Sequence, residues 1–160
     1  MSKYHLYKKE REIKEHDELL DIIGKGKYIT IAMCRNNEPY IVTLSYGFDK
    51  TKNAFYLHSA LKGLKCEFLS ENTTVCATII DDRGYIMDEC AHAYRSLVIW
   101  GKMRFVEDRD EKVHGMNILL THLEDNPDRI KRGALSDTVL YNSFGIFRID
   151  IDEIKGKSGR

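Results

Sequence analysis

Ser59, Lys62 and Lys65 set a hydroxyl and two ammonium groups close together in the run FYLHSALKGLK, from Phe55 to Lys65. The residue pattern predicts a strand running into a helix there, with both lysines in the first helical turns. Cations are unwelcome at that end, because free N–H groups and the positive pole of the helix dipole favour anions. A hydroxyl donor, small Ala60, exposed amides and two ammonium groups together describe a cradle for a phosphate or carboxylate. The competing description is a pair of solvated lysines on an ordinary surface helix.

Other reactive side chains offer less. Cys34, Cys66, Cys76 and Cys90 are widely spaced with no CxxC pair, so they are expected to be buried small hydrophobes in a reducing compartment. Cys90 and His92 share a face in an extended segment, yet a structural zinc site wants paired ligand spacing that is missing here. No metal is expected. His5, His16, His114 and His122 show no partner pattern and are expected on the surface or on helix faces. Trp100, Tyr46 and Tyr94 are expected in the core or at an interface.

The chain has 160 residues and fits a single domain, 1–160, large enough to bury a core without disulfides or metal. Lys plus Arg and Asp plus Glu each number 25, so no global field attracts nucleic acid or an anionic membrane. The opening residues MSKYHLYKKEREIKEHDELL hold no apolar signal-like stretch, and no later segment approaches the roughly 20 apolar residues that span a bilayer. Neither nucleic acid nor membrane is an expected partner, and the expected location is cytoplasmic.

An amphipathic helix is predicted over Glu12–Ile23 and stopped by Gly24 and Gly26. YITIAMCR (28–35) and YIVTLSYGF (40–48) read as strands joined by Asn36, Asn37, Glu38 and Pro39, and AFYLHS (54–59) completes a meander. A helix with Leu61, Leu64, Phe68 and Leu69 on one face follows. TTVCATII (73–80), a turn at DDRG and YIM (85–87) form a further strand pair. YRSLVIWGKMRFV (94–106) is long for one strand, and Gly101 is the expected bend or bulge. A helix is predicted over about 109–124 from Val113, Met116, Leu120 and Leu123. A polar stretch with Pro127 and Gly133 leads to a last strand at 144–151, with Phe147, Ile149 and Ile151 inward.

Strands that follow strands directly favour closure, because closure removes exposed edges. The expected class is mainly β: an antiparallel six-stranded split β-barrel of Greek-key type with a few flanking helices. No GxGxxG, GxSxG or Walker loop occurs in the sequence, which argues against dinucleotide-type, hydrolase and NTPase sites.

Four segments, REIKEHDELLDII, EPYIVTLSYGFD, FYLHSALKGLK and YRSLVIWGKMRFVEDRDEK, occur in the order and near the spacings of a known family. Together they resemble the FMN-binding split-barrel proteins related to pyridoxamine 5'-phosphate oxidase, in the branch of nitroimidazole-resistance (Nim-type) proteins. Thr43 departs from that pattern, since many relatives carry proline there. The resemblance implies a homodimer with FMN at the subunit interface. It further implies that Ser59, Ala60 and Lys65 hold the phosphate with Lys62 nearby, and that Val42, Thr43, Leu44 and Ser45 lie along the isoalloxazine. Arg95 and Ser96 would come from the partner subunit, with a surface ion pair as the other expectation for Arg95.

His58 would sit near flavin or substrate as a proton donor, the alternative being a hydrogen-bonded structural histidine. Strand alternation sets His58 with Tyr56 and Ser59 with Phe55 and Leu57, on opposite faces. The implied activity is reduction of a small electron-poor acceptor, such as a nitro compound, with NADH or NADPH as donor. A flavin- or haem-binding carrier or sensor without turnover is the alternative. Oxidation of pyridoxamine phosphate ranks below both, because the chain lacks an evident second basic cluster for that substrate's phosphate.

Overall fold

The computed structural model of the protein describes residues 5–133 and 140–159. Its strands are β1 (Glu12–Ile13), β2 (Tyr28–Arg35), β3 (Glu38–Asp49), β4 (Ala54–Ser59), β5 (Thr74–Ile86), β6 (Ala91–Phe105) and β7 (Gly145–Gly159). Its helices are α1 (His16–Lys25), α2 (Leu64–Glu71), α3 (Arg109–Leu123) and α4 (Pro127–Arg132). The antiparallel order β7-β4-β3-β2-β5-β6 closes where β6 pairs with β7, and β1 extends the β7 edge past the end of β4. β2, β3 and β4 form a meander, after which the chain crosses through α2 to set β5 against β2. This is the Greek-key route, and the six-stranded barrel expected from the sequence is present.

Alternation builds the interior. Ile29, Ile31 and Met33 of β2, Phe55 and Leu57 of β4, Ile79 of β5, Leu97, Ile99 and Met103 of β6, and Phe147 and Ile149 of β7 are almost wholly enclosed. α1 contributes Leu19, Ile22 and Ile23 to this core, and α2 contributes Phe68 and Leu69. α1 is anchored further by the buried Tyr46 hydroxyl, which donates to the Ile23 carbonyl at 2.6 Å. A second apolar cluster lies outside the barrel, where Met116, Leu119 and Leu120 of α3 cover Tyr56 and Ile146.

Several boundaries differ from the sequence reading. The first helix begins at His16, because Glu12 and Ile13 pair with Lys157 and Gly156 instead. The β2–β3 loop is only Asn36–Asn37, both at positive φ (44° and 66°), while Glu38 and Pro39 belong to β3; such a two-residue loop fits the twist of a hairpin. DDRG is no hairpin turn: β5 continues through a bulge between Asp82 and Tyr85 to Ile86, and the chain reverses at Met87–Cys90. The last strand runs on to Gly159, because β6 supplies ladder partners as far as Tyr94 even though the sequence there loses its apolar alternation. Pro127–Arg132 is a short helix, and residues 134–139 of the expected polar stretch lie outside the described residues. No cysteine is buried: Cys34 and Cys90 are exposed, Cys66 and Cys76 half-buried. Cys34 alternates outward from Met33, and Cys90 stands in the tight reversal at φ 49°.

Gly101 behaves as expected of a bend. The β6–β7 register shifts between Trp100 and Gly101, and a Cβ at Gly101 would overlap the carbonyl oxygen of Asp150. Gly101→Ala is therefore expected to lower stability by about 2–3 kcal/mol, the scale of an overpacked core site, read as an earlier urea midpoint; an unchanged midpoint would mean the two strands can part without cost.

Candidate functional site

A mismatch in strand length opens the barrel. β3 has 12 residues and β4 has 6, and they pair only over Tyr46–Asp49 against Ala54–Leu57. From Glu38 to Ser45, β3 pairs with β2 alone. Along Val42, Thr43, Leu44 and Ser45, therefore, alternate backbone N–H and C=O groups face an edge that no strand among the described residues covers. Val42 and Leu44 turn their side chains toward the core, whereas Thr43 and Ser45 are exposed. Thr43 Oγ1 shares a hydrogen bond of 2.9 Å with Thr30 Oγ1 on the outer face.

The strand-to-helix junction follows the end of β4. α2 begins at Leu64, so Lys62 precedes the helix and only Lys65 lies in its first turn, a correction to the placement of both lysines inside it. The N-cap is Gly63 at φ 127°, a conformation open to glycine, and no side chain caps the helix. Cys66 N–H and Glu67 N–H donate to the Gly63 carbonyl, leaving the Leu64 and Lys65 amides without helical partners. Lys62 is exposed, and the Lys65 ammonium stands 6.0 Å from the Phe147 ring centre. Among the described residues neither lysine has an ion-pair partner. Ala60 is exposed at this junction, but Ser59 is 7% exposed and its hydroxyl donates to the Ala60 carbonyl at 3.3 Å. The junction thus offers amides and cations to an anion more directly than the Ser59 hydroxyl.

His58 emerges on the opposite face of β4 from Ser59, as alternation requires. It lines a cavity of about 330 Å³ together with Ser45 and with Met116, Leu119, Leu120 and Leu123 of α3, Ile130 of α4 and Phe144. The Phe144 ring meets the imidazole edge-on, with centres 5.2 Å apart and planes at 67°. Partial enclosure lowers the His58 pKa below its ordinary value, so the ring is neutral at pH 7. Lys112 of α3 donates its ammonium to the Tyr141 carbonyl and stands 5.4 Å from the Phe144 ring centre, which pins that segment beside the cavity. Burial lowers the Lys112 pKa as well.

One carboxylate anchors the start of α3. Glu111 accepts from Arg148 at 2.8 Å, from Arg104 at 2.9 and 3.0 Å, and from the Tyr56 hydroxyl at 3.1 Å. Burial alone would raise the Glu111 pKa, but these donors outweigh it and bring it to about 2. Asp108 caps the helix by accepting from the Glu111 amide. A second tie joins His114 to the buried Asp49 at 2.6 Å, and a third is the Nε2–H of His122, which donates to the Gly26 carbonyl at 2.6 Å. The sequence reading left these two histidines unassigned, because their partners lie 65 and 96 positions away and no local spacing announces them.

Arg95 and Ser96 lie apart from the strand-to-helix junction along β7. Ser59 pairs with Gly145 on β7, whereas Arg95 pairs with Ser158, 13 residues farther along the same strand; that is roughly 40 Å of strand path. The enclosed Arg95 guanidinium binds Asp21 and Asp81, each at 2.7 Å, with Glu18 at 3.6 Å. Burial would lower its pKa, but hydrogen bonds to the two aspartates raise it, and they in turn hold Asp81 below its usual range. Ser96 faces outward into a depression shared with Thr78, Ile80, Asp82, His92, Tyr94 and Val98. His92 is bonded to Asp82 at 2.7 Å, and among the described residues no cluster of three His, Cys, Asp or Glu side chains could hold a metal. No helix among the described residues is long and apolar enough to cross a membrane.

A Greek-key barrel split beside an uncapped helix start defines the class of split-barrel proteins. The chain belongs to the pyridoxamine 5'-phosphate oxidase family, whose sequence profile matches residues 15–158. The comparison with curated proteins gave no match. Among solved structures, a candidate 5-nitroimidazole antibiotic resistance protein from Bacteroides thetaiotaomicron is similar at a TM-score of 0.74 and 23% identity, covering 92% of this chain and 86% of that one. The flavocytochrome Anf3 from Azotobacter vinelandii is similar at 0.82 and 14%, covering 98% and 73%. An FAD- and haem-binding protein from Mycobacterium smegmatis is similar at 0.77 and 15%, covering 94% and 74%.

The Glu111 network gives a pH-dependent expectation. With its folded-state pKa near 2 against an ordinary 4.5, its stabilisation is complete above about pH 5 and is lost as pH falls toward 2. Glu111→Gln is expected to cost about 2–3 kcal/mol at pH 7 and almost nothing near pH 2, measured by urea unfolding across pH; a cost independent of pH would mean that charge is not what holds α3.

Proposed function

We propose that this protein is an FMN-dependent oxidoreductase acting on a small electron-poor acceptor, with reduced nicotinamide as donor. One observation carries the reading: β3 has no strand partner on its β4 side from Glu38 to Ser45, and β4 itself runs out at Ser59 into an uncapped helix start with Lys62 just before it and Lys65 in its first turn. A planar heterocycle with hydrogen-bonding edges fits an open strand, and a phosphate fits free amides and ammonium groups. The Ala60 to Lys65 junction, with Lys62 and Lys65, would hold the phosphate, and the backbone of Val42, Thr43, Leu44 and Ser45 would meet the ring edge. Ser59 would contribute its place in the chain more than its inward hydroxyl.

When bound, the flavin supplies two-electron chemistry, accepting a hydride from NADH or NADPH and passing electrons onward. His58 would relay a proton at the adjoining cavity, taking it up only transiently, because partial burial keeps the ring neutral at pH 7. The family match and the flavin-binding neighbours support the cofactor class.

The site would be completed by a second copy. Tyr28, Ile41 and Ile80 are 64%, 65% and 60% exposed on the outer wall of β2, β3 and β5, an apolar face that a homodimer would cover. Ser96 would approach the flavin from the partner's copy of β6. Arg95 would then position the partner strand through Asp21 and Asp81.

Two measurements test the reading. Lys65→Ala is expected to weaken FMN binding by about 1.5–3 kcal/mol, the worth of a charge-assisted hydrogen bond, in a titration followed by flavin fluorescence; unchanged affinity would move the phosphate elsewhere. Anaerobic mixing of the flavin-loaded protein with NADH or NADPH is expected to bleach the flavin band rapidly, and a persistent band with both donors would favour a carrier without turnover.

A further inference from the structure

The cavity behind His58 has a composition that the cofactor does not account for. Six of its lining side chains, from Met116, Leu119, Leu120, Leu123, Ile130 and Phe144, are apolar. Among the described residues its two polar side chains, Ser45 and His58, both come from the barrel wall. At about 330 Å³ the space is at the small end of ligand pockets, which run from roughly 300 to 1,000 Å³. One or two fused rings would fill it.

The geometry points to this cavity as the seat of the second substrate, a small uncharged aromatic molecule whose polar end meets Ser45 and His58 while its ring packs among Met116, Leu120 and Phe144. The inference rests on the flavin reading above, because Ser45 also ends the uncovered stretch of β3 and so joins the two compartments.

Three features set the ligand class. Among the described residues neither carboxylate nor ammonium lines the cavity, and Lys112, which stands against the lining Phe144 ring, is bound to the Tyr141 carbonyl. A charged ligand would shed its hydration there without an opposite charge in return. Phe144 offers a ring for edge or offset stacking, and Met116 is a thioether that adapts to planar guests. Partial enclosure lowers the His58 pKa, so its imidazole is neutral at pH 7 and does not attract an anion. Ile130 lines the cavity from α4 and is only half-buried, so a larger side chain there fills the cavity from its more exposed wall.

The test uses two probes of the same outline, 4-nitrotoluene and 4-nitrobenzoate, titrated into the flavin-loaded protein and into protein stripped of flavin, with the His58 ring resonances as readout. FMN affinity is measured separately by fluorescence. The toluene is expected to bind at least about tenfold more tightly than the benzoate and to shift His58, and Ile130→Trp is expected to abolish its binding while leaving FMN affinity unchanged. Binding of the benzoate as tightly as the toluene, toluene binding untouched by Ile130→Trp, or no His58 shift with either probe would overturn the proposal. Toluene binding with the expected selectivity in a protein that takes up no FMN would uphold the cavity and sink the flavin reading alone.

Discussion

The constraint on which the site depends is the inability of a six-residue β4 to cover a twelve-residue β3. Closing a barrel normally satisfies every strand edge. Here closure is achieved elsewhere, by the long β6–β7 pairing from Tyr94 to Phe105, so the ring holds while one side gapes. β4 gives out at Ser59, and the chain turns at Gly63 into a helix whose first amides are free. Backbone hydrogen-bonding groups, costly to leave unmet in a folded core, are thereby left without protein partners among the described strands and helices, along β3 and at the start of α2. In physical terms the proposed site is built mainly from main chain, which accords with the plain side chains of Val42, Leu44 and Ala60 along it.

The remaining elements fix the opening in shape. α1 is held to the barrel by Tyr46 and Arg95, and α2 adds Phe68 and Leu69 to the core from the crossover. Outside the barrel, α3 is tied down by Glu111, His114 and His122 at successive points along its length. Those ties raise a wall next to His58 and convert a shallow outer face of β4 into a cavity. The polar network under the helix start is thus coupled to the apolar space farther along the same helix.

Much of the barrel was legible in the residue pattern. Ile29, Ile31 and Met33, or Phe55 and Leu57, alternate so plainly that strand and inward face follow together, and Gly101 marked its bend. What escaped the sequence was set by long-range pairing. The strand through Glu153–Gly159 has weak alternation and exists because β6 is there to pair with it; Glu12 and Ile13 read as helix until β7 claims them. The opposite faces of His58 and Ser59 were predictable from period two, and the separation of Arg95 and Ser96 from the junction was not, since it is a property of register along β7. Met116, Leu120 and Leu123 were readable as one helix face, but their role as a cavity wall needed the outer surface of β4 beside them.

Nuclear magnetic resonance of the protein, with its backbone amides followed while FMN is added, tests the central claim most directly. The account predicts that the largest shifts fall on two separate stretches, Val42–Ser45 and Ala60–Lys65, at the same flavin concentration. Shifts confined to other parts of the barrel, or none in either stretch as flavin saturates, would contradict it.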